Sequence, residues 1–565
     1  MSELYTPYTG LYTPRELEKV KKYLGSELDR SLAYLGKRAK PKAYYLAYLF
    51  KNQRVEKLYG RLGGISEHTI ASQNHLYCDI RVGTYRYDNV ANGGLGEEPD
   101  EDLLELTIMP VELNEDSYRY SIWKLTDASY RIAAEEYFDK KSRELHYVDQ
   151  NRDIVSMKRR APARHWTPTI SQNIDTDYWK FLIKKAGLFV KQFPSIKNSW
   201  FEFVVRHTQS IYIGSEGHEI LQQQSIFELR GYFWLLSRSG ETISYEINLI
   251  EGDPVFLPPE REFLDLVKRK IELLLQIEKA PRLNSFSGPV LLSADAAGLF
   301  FHEVIGHRLE GSRLLSPDEG ATFMDLRNRR IAPDFIDIVD DPTVTAFAGR
   351  PLIGHYRYDD EGSKAARVIL VDRGVLKNFL TTASPIPGQR ELNGHARNQR
   401  HERPISRMGN LMILNREPLT DREMKEAFLE EIKRQKKPFG IYVKETLGGE
   451  TGTTSYDFQA FKGEIMHAVK VYPDGREEIV RGVDFVGTPL AALESVLCMG
   501  ADPYVDNSYC GAESGVVPVS TISPSALMRN LELQSKDRER LAPYLLPLPY
   551  EGNHIKKGTA KRRFH

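Results

Sequence analysis

Only three cysteines occur in 565 residues, Cys78, Cys498 and Cys510, an odd number scattered widely along the chain. That speaks against a disulfide framework, points to a reducing, cytoplasmic setting and leaves one thiol free to act as a ligand. No apolar run approaches the roughly 18 residues a membrane helix needs. The opening MSELYTPYTGLYTPRELEK has no basic stretch followed by an apolar core, so no export signal is expected either. An excess of one charge is missing too: 77 Lys and Arg face 78 Asp and Glu, for a formal net charge of -1. So balanced a chain has no global attraction to nucleic acid or to anionic membrane. Neither an internal repeat nor a low-complexity tract is found beyond the basic tail Lys556 to Arg563, which reads as a disordered end.

What is present, 41% hydrophobic and 27% charged residues, describes a soluble globular protein too long for one core. Thr13-Pro14-Arg15-Glu16 has the form of a capping box with proline at the first helical position. Leu17, Val20, Leu24 and Leu28 follow at helical spacing, so an amphipathic helix runs to about Gly36. Strands are expected over 43–50 and 77–87, helices over 114–147 and 175–191, a strand meander over 200–249, and a helix from Pro259 to about Ala280. Residues 281–288 read as a linker. Beyond it, Ser293 caps a helix from Ala294 to about Glu310, closed by Gly311, and the remainder reads as short strands with few helices. The expected fold is α+β. A mixed α/β amino-terminal domain (1–285) precedes a β-rich domain (286–550) that carries this helix, and a basic tail (551–565) follows.

One hexapeptide suggests chemistry: His302-Glu303-Val304-Ile305-Gly306-His307. Zinc-protease helices put their histidines four residues apart, which sets the side chains about 40° apart around the helix. A spacing of five on a regular α-helix sets them roughly 140° apart, too divergent to grip one ion, whereas a one-residue π-bulge brings them back to a common face. Gly306 would permit such a bulge. A catalytic zinc takes three protein ligands, and two candidates offer the third: Glu310, three residues after His307, and Cys510, between Tyr509 and Gly511. In either case the metal would lower the pKa of a bound water, and Glu303 would take its proton. A copper His-His-Cys site is the competing metal reading, but it leaves Glu303 without a role.

Other features carry less. The arginines and histidines between Arg390 and Arg407 suit a carboxylate or oxyanion clamp, or simply a solvated basic loop. Gly448 to Thr454 is missing the lysine of a phosphate loop and reads as a flexible wall of the site. The acids at 340–341 and 359–361 fit turns, His355 and His467 fit structural positions, and Cys78 fits a small buried side chain.

Taken together, HEVIGHRLEG, the DDEG at 359–362, the loop NGHARNQ...PISRMGN and CGAESGVVPVSTISPSALM resemble the TldD/PmbA family of metalloproteases, also called modulators of DNA gyrase. The resemblance is specific from about Gly288 to Met528. It implies zinc held by His302, His307 and Cys510, with Glu303 as base, in the catalytic TldD-like kind of subunit. It further implies two chains around an enclosed cavity, as a homodimer or a heterodimer with a PmbA-like paralogue, and small or unfolded polypeptides as substrates. The alternative is a non-catalytic subunit that binds peptides or proteins around a structural metal, which a fourth protein ligand such as Glu310 would favour. Nucleic-acid binding through the arginine loop and the tail is a third reading, disfavoured by the balanced charge.

Overall fold

The computed structural model describes residues 10–95, 101–146, 154–167, 174–237, 240–319, 323–454, 459–536 and 541. The tail at 551–565 lies outside the described residues. The fold is α+β.

The capping box at Thr13 and Glu16 forms as expected and starts a helix over Pro14–Leu35, whose Leu17, Val20, Leu24 and Leu28 are buried. It packs on a seven-stranded sheet made of β1 (Ala43–Arg61), β2 (Gly64–Val82), β3 (Ile108–Met109), β4 (Arg164–Trp166), β5 (Ile196–Gly214), β6 (His218–Leu236) and β7 (Thr242–Glu251), in the order β3-β2-β1-β5-β6-β4 with β7 on β6. β1 and β2 are far longer than the apolar runs at 43–50 and 77–87 suggest. They join through Leu62 and Gly63, both at positive φ, the backbone a two-residue hairpin turn requires. In the polar continuation buried amides bond to one another and to their surroundings: Asn52 donates to Asn74 at 2.7 Å, and Asn74 donates to the Pro110 carbonyl at 2.7 Å.

Helices Glu115–His146, Thr176–Val190 and Glu260–Lys279 match the sequence reading closely. The expected linker at 281–288 is only partly one, because a strand begins at Ser285 and runs to Leu292. The sequence marks only Pro289 to Leu292 as strand; turn composition masked its first half, Ser285 to Gly288. That strand belongs to an eight-stranded sheet, and a six-stranded sheet stands beside it. Between these lies a core that includes Val304, Ile305, Leu309, Met408, Cys510 and Val517. Two helices there were not expected, the short Pro489–Glu494 and the longer Asp421–Arg434. The signal of the longer one was present in Thr420-Asp421-Arg422-Glu423, which forms a second reciprocal capping box.

Candidate metal centre

Ser293 caps the helix that leads into the site, its hydroxyl accepting from the Ala296 amide at 3.1 Å. The helix is regular only over Ala294–Phe301 and does not continue to Glu310 as expected. His302–Gly306 form one π-helical turn, and His307–Leu309 tighten into a 3-10 turn. This is the widening that a five-residue histidine spacing demands: one extra residue per turn gives positions i and i+5 the relation that i and i+4 have in an α-helix. The poorer backbone geometry is offset by packing, since Val304 and Ile305 inside the turn are fully buried, each contributing about 1.5–3 kcal/mol.

Gly306 matters for a different reason from the one its flexibility suggests. Its backbone is ordinary right-handed helix, at φ -53° and ψ -60°. A β-carbon there would lie 2.2 Å from Met408 Sδ and 2.9 Å from its Cε. Gly306→Ala is therefore expected to destabilise the fold by about 1–3 kcal/mol through overpacking, read from urea unfolding, and in a Met408→Ala background, where the clashing atoms are gone, the same substitution should cost less. An unfolding midpoint unchanged by Gly306→Ala would contradict this close approach.

The two rings lie 5.1 Å apart at 82° to each other. Cys510 reaches them from the strand Tyr504–Ala512, at the edge of the six-stranded sheet. Its Sγ is 3.3 Å from His307 Nε2. One ligand atom from each of His302, His307 and Cys510 lies within 4.8 Å of the others, and all three residues are buried. Zinc–nitrogen and zinc–sulfur bonds of ~2.0–2.1 and ~2.3 Å around a tetrahedral ion would separate such atoms by roughly 3.4–3.6 Å. The donor set and its spacing fit a zinc-sized cation.

The outward nitrogens are held as well. His302 Nδ1 meets Thr521 Oγ1 at 3.4 Å, and His307 Nδ1 meets Glu310 Oε2 at 3.3 Å. Glu310 thus stands behind His307, on the side away from Cys510, and is not gathered with the other three. It is also gripped by Arg313, whose Nε donates at 3.0 Å, and by Arg407, whose Nε lies 3.4 Å away. Arg407 in turn donates to the Cys510 carbonyl at 2.6 Å and to Ser514 Oγ at 3.0 Å. At Arg407, neither the expected clamp nor a solvated loop is what forms. It is a fully buried tie between the Cys510 strand and the support of His307.

The electrostatics follow from this packing. Burial alone would raise the Cys510 thiol, but His307, His302 and Arg407 override it and hold the thiol well below its ordinary range. Burial would likewise lower His307, yet Cys510 and Glu310 keep it well above the ordinary imidazole. For Glu310 burial again opposes ionisation, and His307, Arg313 and Arg407 outweigh it, leaving a carboxyl at about 2. Glu303 differs: burial raises it, against the opposing pull of His302 and His307. It is only 5% exposed. Gly449 makes room for it, because a β-carbon at 449 would lie 2.7 Å from Glu303 Cγ. The glycine-rich stretch from 448 is thus a wall of the site, as the sequence implies, but it is strand (Gly440–Thr451) through Thr451 rather than flexible loop.

Sequence reasoning missed Thr521, although it lies in the same carboxy-terminal run as Cys510, and it weighed Glu310 only as a ligand. Cys78 is buried, and the three cysteines are all free. Asp359 forms a turn through bonds from the amides of Glu361 and Ser363, as expected of those acids. Among the described residues no helix is long and apolar enough to cross a membrane.

Residues 285–535 match the PmbA/TldA metallopeptidase C-terminal domain. A metalloprotease of Archaeoglobus fulgidus is 32% identical over 275 residues, 47% of this chain, and the match spans only 59% of that relative's length. A zinc metalloprotease TldD homolog of Saccharolobus solfataricus is 26% identical over 398 residues, covering 68% of this chain and 82% of its own. Among solved structures, TldE from Thermococcus kodakarensis superimposes with a TM-score of 0.57 at 14% identity, over 91% of this chain and 100% of that one. This last likeness shows a shared fold.

Proposed function

We propose that this chain, whose residues 285–535 carry the metallopeptidase domain of the PmbA/TldA family, is a zinc-dependent peptidase acting on small or unfolded polypeptides. The observation that carries the reading is the convergence of His302, His307 and Cys510 from two distant segments, with Glu303 beside them. His302, His307 and Cys510 would hold the ion. Bound there, zinc supplies a Lewis acid that brings water ionisation toward neutral pH and polarises a peptide carbonyl. Glu303 is the base: its buried carboxylate takes the proton from the attacking water and returns it to the leaving amine. Thr521 and Glu310 hold the two rings so that their inner nitrogens face inward.

Glu310 supports a catalytic over a purely structural metal. A structural site closes with a fourth protein ligand, and the strongest candidate for that place is instead committed to His307, Arg313 and Arg407. As a support of His307 it has its own expected effect. Glu310→Gln should weaken zinc by about 10–100-fold, the usual range for an outer-shell partner, read by competition with a chromogenic chelator. Unchanged affinity would mean that His307 needs no such support.

Substrate would lie along the edge of a strand that passes Glu303. Among the described residues the strand Gly440–Thr451 pairs with Ser285–Leu292 only at Ile441–Val443, and its later residues, including Gly449 beside Glu303, form strand pairs only with Phe461–Val471 on the other side, while the Thr446 amide donates to Asp295 at 3.1 Å. A peptide added there through main-chain hydrogen bonds would be cleaved with wide tolerance of side chains. The domain at 286–550 supplies the chemistry and 1–285 the contacts with substrate or a second subunit, in a homodimer or with a PmbA-like paralogue in the cytoplasm. The decisive experiment is cleavage of a defined peptide library by metal-loaded and chelator-treated protein, with zinc restored. Cleavage that follows zinc at many sequences is expected; cleavage indifferent to chelation would overturn the reading.

A further inference from the structure

A cavity of about 480 Å3 lies between β5 and β6 and the back of the strand that carries Cys510. Tyr509 lines it, and successive residues of an extended strand point to opposite faces. The metal cluster is therefore on the other face, and none of His302, Glu303, His307 or Cys510 lines the cavity. The volume is that of a site for a small organic molecule.

Cations dominate its wall: Lys51, Arg206, Arg230, Arg357 and Arg397, against the acids Asp359 and Asp360. Three of these cations are already paired. Lys51 donates to Asp360 at 3.1 Å and to Asn398. Arg206 and Arg230 share Glu228, which also accepts from the Tyr509 hydroxyl. The other two are not. Arg397 is 7% exposed, stacks over Tyr356 and donates to the Met408 carbonyl at 2.6 Å, yet it pairs with no carboxylate among the described residues. Arg357 forms no ion pair among the described residues either, and its exposed side chain lies in the same wall. His165 lines this cavity too, with a buried Nε2 that has no hydrogen-bond partner among the described residues. A guanidinium taken out of water without an anion is costly, and its planar fork matches a carboxylate or phosphate in two parallel bonds. Burial pushes Arg397 below its ordinary value although Tyr356, Asp360 and Asp340 pull it upward from a distance, and an anion in direct contact would add to their pull.

We infer that this cavity is a binding site for a small ligand bearing a carboxylate or phosphate oxyanion, held by Arg397 and Arg357, separate from the metal centre. The ligand sits behind the Cys510 strand and does not share the metal's ligands. The inference does not rest on the peptidase reading, and would stand if that reading failed.

The test is titration calorimetry on the full chain at fixed ionic strength, with inorganic phosphate and with succinate as separate probes. Saturable one-site binding of at least one probe is expected, and the preferred probe assigns the oxyanion. Arg397→Gln should weaken it by about tenfold or more, the scale of losing a charge-assisted fork, and Arg357→Gln by a smaller factor. Arg357 is exposed, so its variant folds and decides the matter alone if circular dichroism finds Arg397→Gln unfolded. Weakening in either folded variant supports the site. No saturable binding of either probe, or binding unchanged in every folded variant, as for an anion resting on the metal, overturns it.

Discussion

Cys510→Ser is expected to empty the metal centre, leaving near-background peptide cleavage and a zinc content far below one per chain. The thiol is the only donor to arrive from the carboxy-terminal strand, and the electrostatics around it favour thiolate, the form that binds zinc. Serine keeps the shape but offers a hard, protonated oxygen. The loss in affinity should exceed the roughly 10–100-fold expected of an outer-shell change such as Glu310→Gln. The fold should survive, because the strand is anchored through the Cys510 carbonyl to Arg407 and through its register with Val517, neither of which uses the sulfur. Zinc should then raise the melting temperature of the unaltered chain and leave that of Cys510→Ser unmoved; zinc held 100-fold above its dissociation constant is worth about 2.7 kcal/mol. The metal-free chain gives an independent readout. Ultraviolet thiolate absorbance should persist well below the pH at which an ordinary thiol protonates, since His307 and His302 lower the thiol, and it should be missing from Cys510→Ser. Stoichiometric zinc and full cleavage in Cys510→Ser would remove Cys510 from the ligand set.

Local signals and long-range ones were unequally legible in the sequence. The capping box at Thr13 and the awkward five-residue histidine spacing are local, and each dictates its own backbone: a helix start in one case and a π turn in the other. The helix at Asp421–Arg434 was equally local, and was missed because the surrounding strands set the expectation. β1 and β2 were underestimated for a physical reason, because their outer halves are mostly polar, with apolar positions such as Val55, Leu58 and Ile70 too sparse to mark the alternation of a half-buried strand. Spacing along the chain left Glu310 and Cys510 as equal candidates for the third ligand. The family resemblance implies Cys510, and the tertiary fold turns Glu310 to the Nδ1 side of His307 while a strand 203 residues away brings Cys510 to Nε2. The buried role of Arg407 was illegible for the same reason, since its partners at 310, 510 and 514 are brought together only by the fold.

Glu303→Gln separates chemistry from metal binding, because Glu303 is beside the cluster but is not one of the three gathered donors. The amide has nearly the shape of the carboxylate and fits the same space against Gly449, so neither the π turn nor the histidines should move. It cannot take a proton. Zinc content is therefore expected to equal that of the unaltered chain, while kcat for a defined peptide falls by about 10²–10⁴, the contribution of a positioned general base. KM should change little, since Glu303 is assigned to proton transfer rather than to holding the extended substrate. The environment suits this role: burial raises Glu303, so that the carboxylate, once it has accepted a proton, is able to hold it until the amine leaves. Glu303→Asp probes the reach of the base. It keeps the acid but draws it back by one methylene, and a base that must reach a water within hydrogen-bond distance loses rate when moved by that much. A graded series is expected, with Asp between Glu and Gln in kcat and all three equal in zinc. If Glu303→Gln cleaved at the native rate with its zinc in place, proton transfer would have to be assigned to another group, and Glu303 would lose its role as the base of a peptidase.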